Sequence, residues 1–275
     1  MSRIDNCFQQ LKKDNKKALI PYIAAGDPEP KMTVYLLHAM VEAGADIIEL
    51  GVPFSDPMAD GPIIQKAYER ALIHKTSLKD ILNMVSEFRE KNTNTPIVLM
   101  GYLNPVEALG YERFADLALK AGVDGVLLVD LTSQEAAETV KLFNDQQLDT
   151  IFLLSPTTSV KRIKSISKIA NGFLYYVSLK GVTGSNKLDT NEVKLKIDTI
   201  REHTSMPVGV GFGIKTPEDA SAVASFSDAV IIGSSLVSCI ENSLSDYESI
   251  EKNICNTIKE MRIAIDNVSS KQRVA

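Results

Sequence analysis

Eight short apolar runs recur along the chain, each followed by a stretch with helical spacing, and this alternation constrains the fold more than any other feature. The runs are Leu19 to Ala25, Asp46 to Leu50, Pro96 to Tyr102, Gly125 to Asp130, Thr150 to Leu154, Gly172 to Ser178, Pro207 to Gly211 and Ala229 to Gly233. They read as continuous strings such as Val126-Leu127-Leu128-Val129, without polar alternation, and so predict parallel strands buried on both faces. Between them apolar residues fall three and four apart, as in Val34, Leu37, Met40 and Val41, which is the spacing of helices with one buried face. Helix ends are signalled by Ala43-Gly44 and Ala121-Gly122. Helix starts are signalled by Pro62 after Asp60-Gly61, by Ser77 before Leu78 and by Thr216-Pro217-Glu218.

Eight strand-helix units without a polar or Pro/Gly-rich linker favour an α/β fold, one closed (β/α)8 TIM barrel forming a single domain over residues 1–275. The alternative is an open doubly wound sheet. A chain of 275 residues has room for two domains at roughly 100 to 200 residues each, but barrels use about 250 as one. Ser2 to Asn15 predicts an extra N-terminal helix, and Asp246 to Asn267 a long C-terminal helix.

Thirty basic residues against thirty-five acidic ones, with no Lys/Arg block, argue against a nucleic-acid partner. Cys7, Cys239 and Cys255 are widely spaced and form no Cys-x-x-Cys pair, so no disulfide framework or thiolate metal site is expected and a reducing cytoplasm fits. No apolar run approaches the ~18 residues of a membrane span, and the polar N-terminus lacks a signal-peptide core; the expectation is a soluble, unprocessed protein. His38, His74 and His203 show no metal-ligand spacing, which leaves acid/base work to carboxylates and no metal expected.

The active site of a barrel lies at the C-terminal ends of its strands. There Glu49 stands inside an apolar strand, where an unpaired carboxylate costs several kcal/mol. It is either a catalytic acid or base, or half of a structural ion pair with a Lys or Arg of a neighbouring helix. Asp60, ahead of Gly61 and Pro62, reads by itself as a turn former or helix cap. Three glycine loops follow the last three strands: Gly181-Val182-Thr183-Gly184-Ser185, Gly211-Phe212-Gly213 and Gly233-Ser234-Ser235. Such loops let main-chain N–H groups approach an anion, and the last opens a helix whose dipole favours negative charge, so a small phosphomonoester is the expected occupant. Lys180, beside flexible glycines, is weighed as a Schiff-base nucleophile against a solvated loop lysine.

The segment Ile48-Glu49-Leu50-Gly51-Val52-Pro53-Phe54-Ser55-Asp56-Pro57, with Ala59-Asp60-Gly61-Pro62, resembles the signature of the tryptophan synthase alpha chains. Gly26-Asp27-Pro28, Gly101-Tyr102-Leu103-Asn104-Pro105, Gly181-Val182-Thr183-Gly184 and Gly211-Phe212-Gly213-Ile214 follow in the family's order, so the resemblance covers essentially the whole chain. It implies cleavage of indole-3-glycerol phosphate to indole and glyceraldehyde 3-phosphate, without a cofactor in this chain. Glu49 is then the acid/base and Asp60 the group that hydrogen-bonds the indole N–H. The phosphate falls to Gly184, Gly213, Gly233, Ser234 and Ser235, with Thr183 beside them. Tyr22, Met100, Leu127, Tyr175, Phe212 and Ile232 stand near strand ends where an indole slot would form, and each also reads as ordinary barrel core. The resemblance further implies a beta chain that uses pyridoxal phosphate, an alpha2-beta2 heterotetramer with a tunnel for indole, an interface at Pro53, Asp56, Asn104 and Pro105, and a lid at Gly181 to Lys187. Two departures from the family stand out: Tyr22 where many members have Phe, and Leu179-Lys180 where an Arg often follows Ser178. The enzymatic alternatives are a related barrel such as indole-3-glycerol phosphate synthase and an aldolase using Lys180; the other is a non-catalytic partner barrel.

Overall fold

A computed structural model describes residues 1–133, 136–178, 190–211 and 213–271. Its nine strands are β1 (Ala18–Ala24), β2 (Ile48–Gly51), β3 (Ile97–Gly101), β4 (Gly125–Leu128), β5 (Asp149–Thr150), β6 (Phe152–Leu154), β7 (Leu174–Val177), β8 (Val208–Gly211) and β9 (Ala229–Ile232). All pair in parallel, in the order β5-β4-β3-β2-β1-β9-β8-β7-β6. The ends of that order, β5 and β6, are two halves of the single run expected at Thr150 to Leu154, split at Ile151. β5 bonds β4 and β6 bonds β7, so this one strand closes the sheet into the expected (β/α)8 barrel.

The helices are α1 (Arg3–Lys13), α2 (Pro30–Glu42), α3 (Pro62–Ile73), α4 (Leu78–Arg89), α5 (Leu103–Leu109), α6 (Tyr111–Ala121), α7 (Ala137–Asp145), α8 (Val160–Ile166), α9 (Thr190–Arg201), α10 (Pro217–Ala224), α11 (Ser234–Glu241) and α12 (Tyr247–Lys271). The signalled caps are present. Ser77 and Thr216 close capping boxes with Asp80 and Asp219. Gly122 ends α6 at φ +87°, a conformation that L side chains resist.

Burial follows the two faces of each strand. Leu19, Ile23, Ile48, Leu50, Leu99 and Val126 face outward into the main core beneath the helices. Ile20, Ile47, Val98, Leu127, Phe173 and Ile231 face inward and fill the barrel. The interior is sealed at the N-terminal strand ends by α1, whose Ile4, Phe8 and Leu11 join that inner cluster and whose Phe8 ring lies 5.8 Å from Phe173. Beside this seal Asp124 is 4% exposed and accepts from Arg3 at 2.8 Å, Arg89 at 2.7 Å and the Ile97 N–H at 2.7 Å. With that end filled, the free mouth is at the C-terminal ends, where Tyr22, Ala24, Tyr68, Tyr102 and Val237 form a third cluster.

Candidate active site

Glu49 is placed by β2 with its Cα opposite Tyr22 of β1 and Val98 of β3. Its strand alternates, Ile48 and Leu50 facing the helices and Ile47 the interior, so the carboxylate enters the barrel. It is 2% exposed, and its Oε1 has no hydrogen-bond partner. The structural ion pair is not formed among the described residues, where no Lys or Arg acts on Glu49. Burial, reinforced by the negative charge of Asp60, pushes its pKa up to about 8. Glu49 is therefore largely protonated at neutral pH.

Asp60 departs from its reading as a helix cap. Gly61 is the N-cap of α3 and makes no side-chain cap bond. The Asp60 carboxylate instead accepts from the Tyr102 hydroxyl at 2.6 Å, and that hydroxyl accepts from the Ala59 N–H at 3.0 Å. Burial raises the Asp60 pKa and the tyrosine bond opposes the rise by favouring the ionised form. The Tyr102 ring stacks on Phe54 at 5.1 Å, tying the loop after β2 to the end of β3. Tyr102 and Tyr68 escape a reading of the sequence for site residues. Tyr102 did carry a signal, being an aromatic at the mouth end of an apolar run. Tyr68 carried little: it lies mid-helix between Ala67 and Ala71, and only packing shows that this face of α3 looks into the mouth. A bidentate bond from Arg70 to Asp27, at 2.6 and 2.9 Å, holds α3 against the loop after β1.

The remaining expected residues fall into separate groups. Tyr22, Tyr175 and Leu127 are buried on the inner face, and Met100 packs against both the inner and the mouth clusters, so these four surround the space above the filled barrel. The strand glycines make room for the rings: a Cβ on Gly51 would lie 2.3 Å from the Tyr22 Oη, and one on Gly211 2.2 Å from the Tyr175 Oη. Ile232 is not brought to this space. It packs in the outer core, and Ile231 is the residue of β9 that faces inward. Thr183, Gly184, Phe212, Leu179, Lys180 and the expected lid lie outside the described residues.

Gly213 has φ +80°, and Gly233 precedes α11 as its N-cap without a side-chain cap. The first amides of a helix have no intrahelical acceptor, which leaves those of Ser234 and Ser235 for a ligand. The buried Ser235 Oγ likewise has no partner. On the rim Asp56, Met58 and Asn104 are exposed, Pro105 is half-buried and Pro53 is buried beneath them. No group of three His, Cys, Asp or Glu among the described residues is arranged to hold a metal ion.

The Glu49 shift sets a stability signature. A carboxyl with an ordinary pKa of 4.5 and a folded value near 8 stabilises the fold fully below pH 4.5, and that contribution is lost as pH rises to about 8. Glu49→Gln is thus expected to melt higher than the wild type, with a gap that opens above pH 4.5 and levels off beyond pH 8. Thermal unfolding across that range checks it, and a gap independent of pH would contradict the assigned shift.

A family model described as "Tryptophan synthase alpha chain" matches residues 8–266. The chain is 55% identical over 269 residues to the tryptophan synthase alpha chain of Marinobacter nauticus, covering 98% of this chain and 100% of that one. It is 56% identical over 266 residues to that of Methylococcus capsulatus, covering 97% and 100%. The crystal structure of tryptophan synthase subunit alpha from Legionella pneumophila str. Paris superposes with a TM-score of 0.92 at 47% identity, over 97% of this chain and 99% of that one. Likeness of this degree over nearly the full length leaves one conclusion, that the chain belongs to the tryptophan synthase alpha chain family.

Proposed function

We propose that the mouth of the barrel carries out the alpha reaction, cleaving indole-3-glycerol phosphate to indole and glyceraldehyde 3-phosphate, with Glu49 and Asp60 as the working carboxylates. The observation that carries the reading is Glu49 itself: buried on the inner face of β2, with no cation among the described residues acting on it, its Oε1 without a hydrogen-bond partner and its pKa pushed up to about 8.

Breaking the bond between indole C3 and the glycerol chain requires a proton on C3, tolerance of positive charge at N1 and removal of the proton from the adjacent hydroxyl. Protonated Glu49 supplies the first. The bonding electrons then return to the indole ring as the C–C bond opens, and the Glu49 carboxylate takes up the hydroxyl proton as the aldehyde forms. Asp60, whose ionised form the Tyr102 hydroxyl favours against the effect of burial, accepts from the indole N–H and stabilises the cationic tautomer. Tyr22, Met100, Leu127 and Tyr175 hold the ring. The phosphate rests on the amides of Gly213, Ser234 and Ser235 and on the Ser235 Oγ, with Gly233 allowing the approach. Ser235→Ala is expected to raise KM about tenfold with kcat little changed, since it removes one bond to a charged group. A KM within twofold of wild type would remove Ser235 from the cradle.

The chain works in this reading as one domain and needs no cofactor of its own. Its partner is a beta chain that supplies pyridoxal phosphate for joining indole to serine, in an alpha2-beta2 assembly in the cytoplasm. Asp56, Met58 and Asn104 form the exposed rim that would meet it. No described helix is long and apolar enough to cross a membrane. Purified protein given indole-3-glycerol phosphate should release indole slowly alone and faster with a beta chain; release under neither condition would overturn the proposal.

A further inference from the structure

Asp60 ends the loop between β2 and α3, in which Ser55, Asp56, Met58 and Ala59 are exposed. Such a loop does not by itself hold a side chain in one direction. A carboxylate that must meet an indole N–H at hydrogen-bond distance needs its backbone fixed from outside. The Tyr102 Oη donates to the Asp60 carboxylate at 2.6 Å, and the Asp60 N–H donates to the Pro57 carbonyl at 3.0 Å. A third contact comes from Gln65, in the first turn of α3. Its Nε2 donates to the Asp60 carbonyl at 2.8 Å and approaches the Pro57 carbonyl at 3.5 Å. Both of these oxygens only accept, so the amide nitrogen and not its oxygen must face them. The first carbonyl that α3 itself uses is that of Gly61, 3.0 Å from the Gln65 N–H. The Asp60 carbonyl lies one residue earlier, and there the Gln65 side chain takes the place of a helical N–H.

We propose that Gln65 is a positioning residue for the reaction: through the main-chain carbonyl of Asp60 it fixes the direction in which that carboxylate meets the indole nitrogen. Each peptide is a rigid plane, so a bond to one carbonyl or N–H orients the whole unit. Pro57 holds the plane before the Asp60 Cα, and Gln65 holds the plane after it. The direction of the Cα–Cβ bond is then set, and Tyr102 has only to hold the far end of the side chain. Gln65 stands on a helix that is itself tied down at two places. Arg70 bonds the fully buried Asp27 in the loop after β1, and Lys66 bonds Glu241 of α11 at 2.9 Å. Gln65 touches no reacting atom and acts only through Asp60.

The inference rests on the reading of Asp60 as a working carboxylate, and its test separates the two. Gln65→Met keeps the length of the side chain and suits a helix, but donates no hydrogen bond. Indole release by the full chain should fall about tenfold in kcat with KM within about twofold of wild type, because the ring and phosphate contacts are untouched. Since Gln65 is half-buried, the melting temperature should stay within about 2 °C of wild type. Gln65→Glu keeps the shape and, when ionised, has no donor, so it should show the same loss. Should one variant fail to fold, the other decides alone. Single-turnover rates complete the cycle: Gln65→Met added to Asp60→Ala should cost less than about twofold, because no carboxylate is left to position. A kcat within about twofold of wild type for either variant, or a tenfold loss that persists in the Asp60→Ala background, would overturn the proposal. Asp60→Ala turning over at the wild-type rate would instead overturn the assignment of Asp60.

Discussion

Glu49→Gln should lower indole release roughly 100- to 10,000-fold, the range typical of a lost general acid or base. The carboxamide keeps the shape of the carboxyl but cannot deliver a proton to C3 or take one from the hydroxyl. Because the ring and phosphate contacts remain, affinity for the substrate should persist, and the loss should appear in kcat with KM nearly unchanged. The same substitution relieves a buried carboxylate whose pKa has been pushed up to about 8, so the inactive variant should also be the more stable one near neutral pH. This pairing of lost activity with gained stability distinguishes a strained functional group from a structural one, for which both would fall together. Steady-state kinetics with a substrate-binding titration checks the first half, and a variant that turns over near the wild-type rate would show that another residue is the acid.

Asp124→Ala should have the largest effect on stability, a loss of about 3 to 5 kcal/mol, as expected when one member of a buried charge network is removed. Asp124 sits just before β4 with its side chain 3% exposed, bonded to Arg3 and Arg89. The Arg89 side chain is 10% exposed, and burial has already pulled its pKa to about 10. Its guanidinium also donates to the carbonyls of Gly122, Asn92 and Thr95, at 2.9, 3.2 and 2.7 Å. Without Asp124 that charge keeps carbonyls but loses its counter-ion, and the Ile97 N–H loses its acceptor. Because the cluster lies at the sealed end of the barrel, the folded variant should keep its kcat at low temperature. Denaturant unfolding gives the answer; a loss below about 1 kcal/mol would mean that solvent replaces Asp124 there.

The fold was legible because period and burial are local properties. Strings such as Val126-Leu127-Leu128-Val129 cannot satisfy a strand with one wet face, and Gly122 and Ser77 mark helix ends by their own chemistry. The split of the fifth strand at Ile151 was not legible, since it follows from which neighbour each half bonds. Glu49 was legible as an ionisable group where only apolar ones fit. Asp60 was legible only through the family resemblance, because Asp-Gly-Pro by itself is ordinary turn chemistry, and the hydroxyl that binds its carboxylate lies 42 positions away, where only the fold brings it within 2.6 Å. Ile232 shows the opposite error. Proximity to a strand end does not say which face a residue takes, and a shift of one position sends Ile231 inward and Ile232 outward. The glycines at 51 and 211 were visible as glycines, but that they accommodate tyrosine hydroxyls depends on the distances across neighbouring strands.

Substrate is expected to lie across Glu49 and Asp60 with its phosphate on the start of α11. The crystal structure of Glu49→Gln with indole-3-glycerol phosphate tests this most directly, because the substrate should survive intact. The indole N–H is expected within about 3 Å of the Asp60 carboxylate, C3 within reach of the residue-49 side chain, and the phosphate oxygens within about 3 Å of the Gly213, Ser234 and Ser235 amides. Indole turned away from Asp60, or the phosphate bound elsewhere on the barrel, would contradict it.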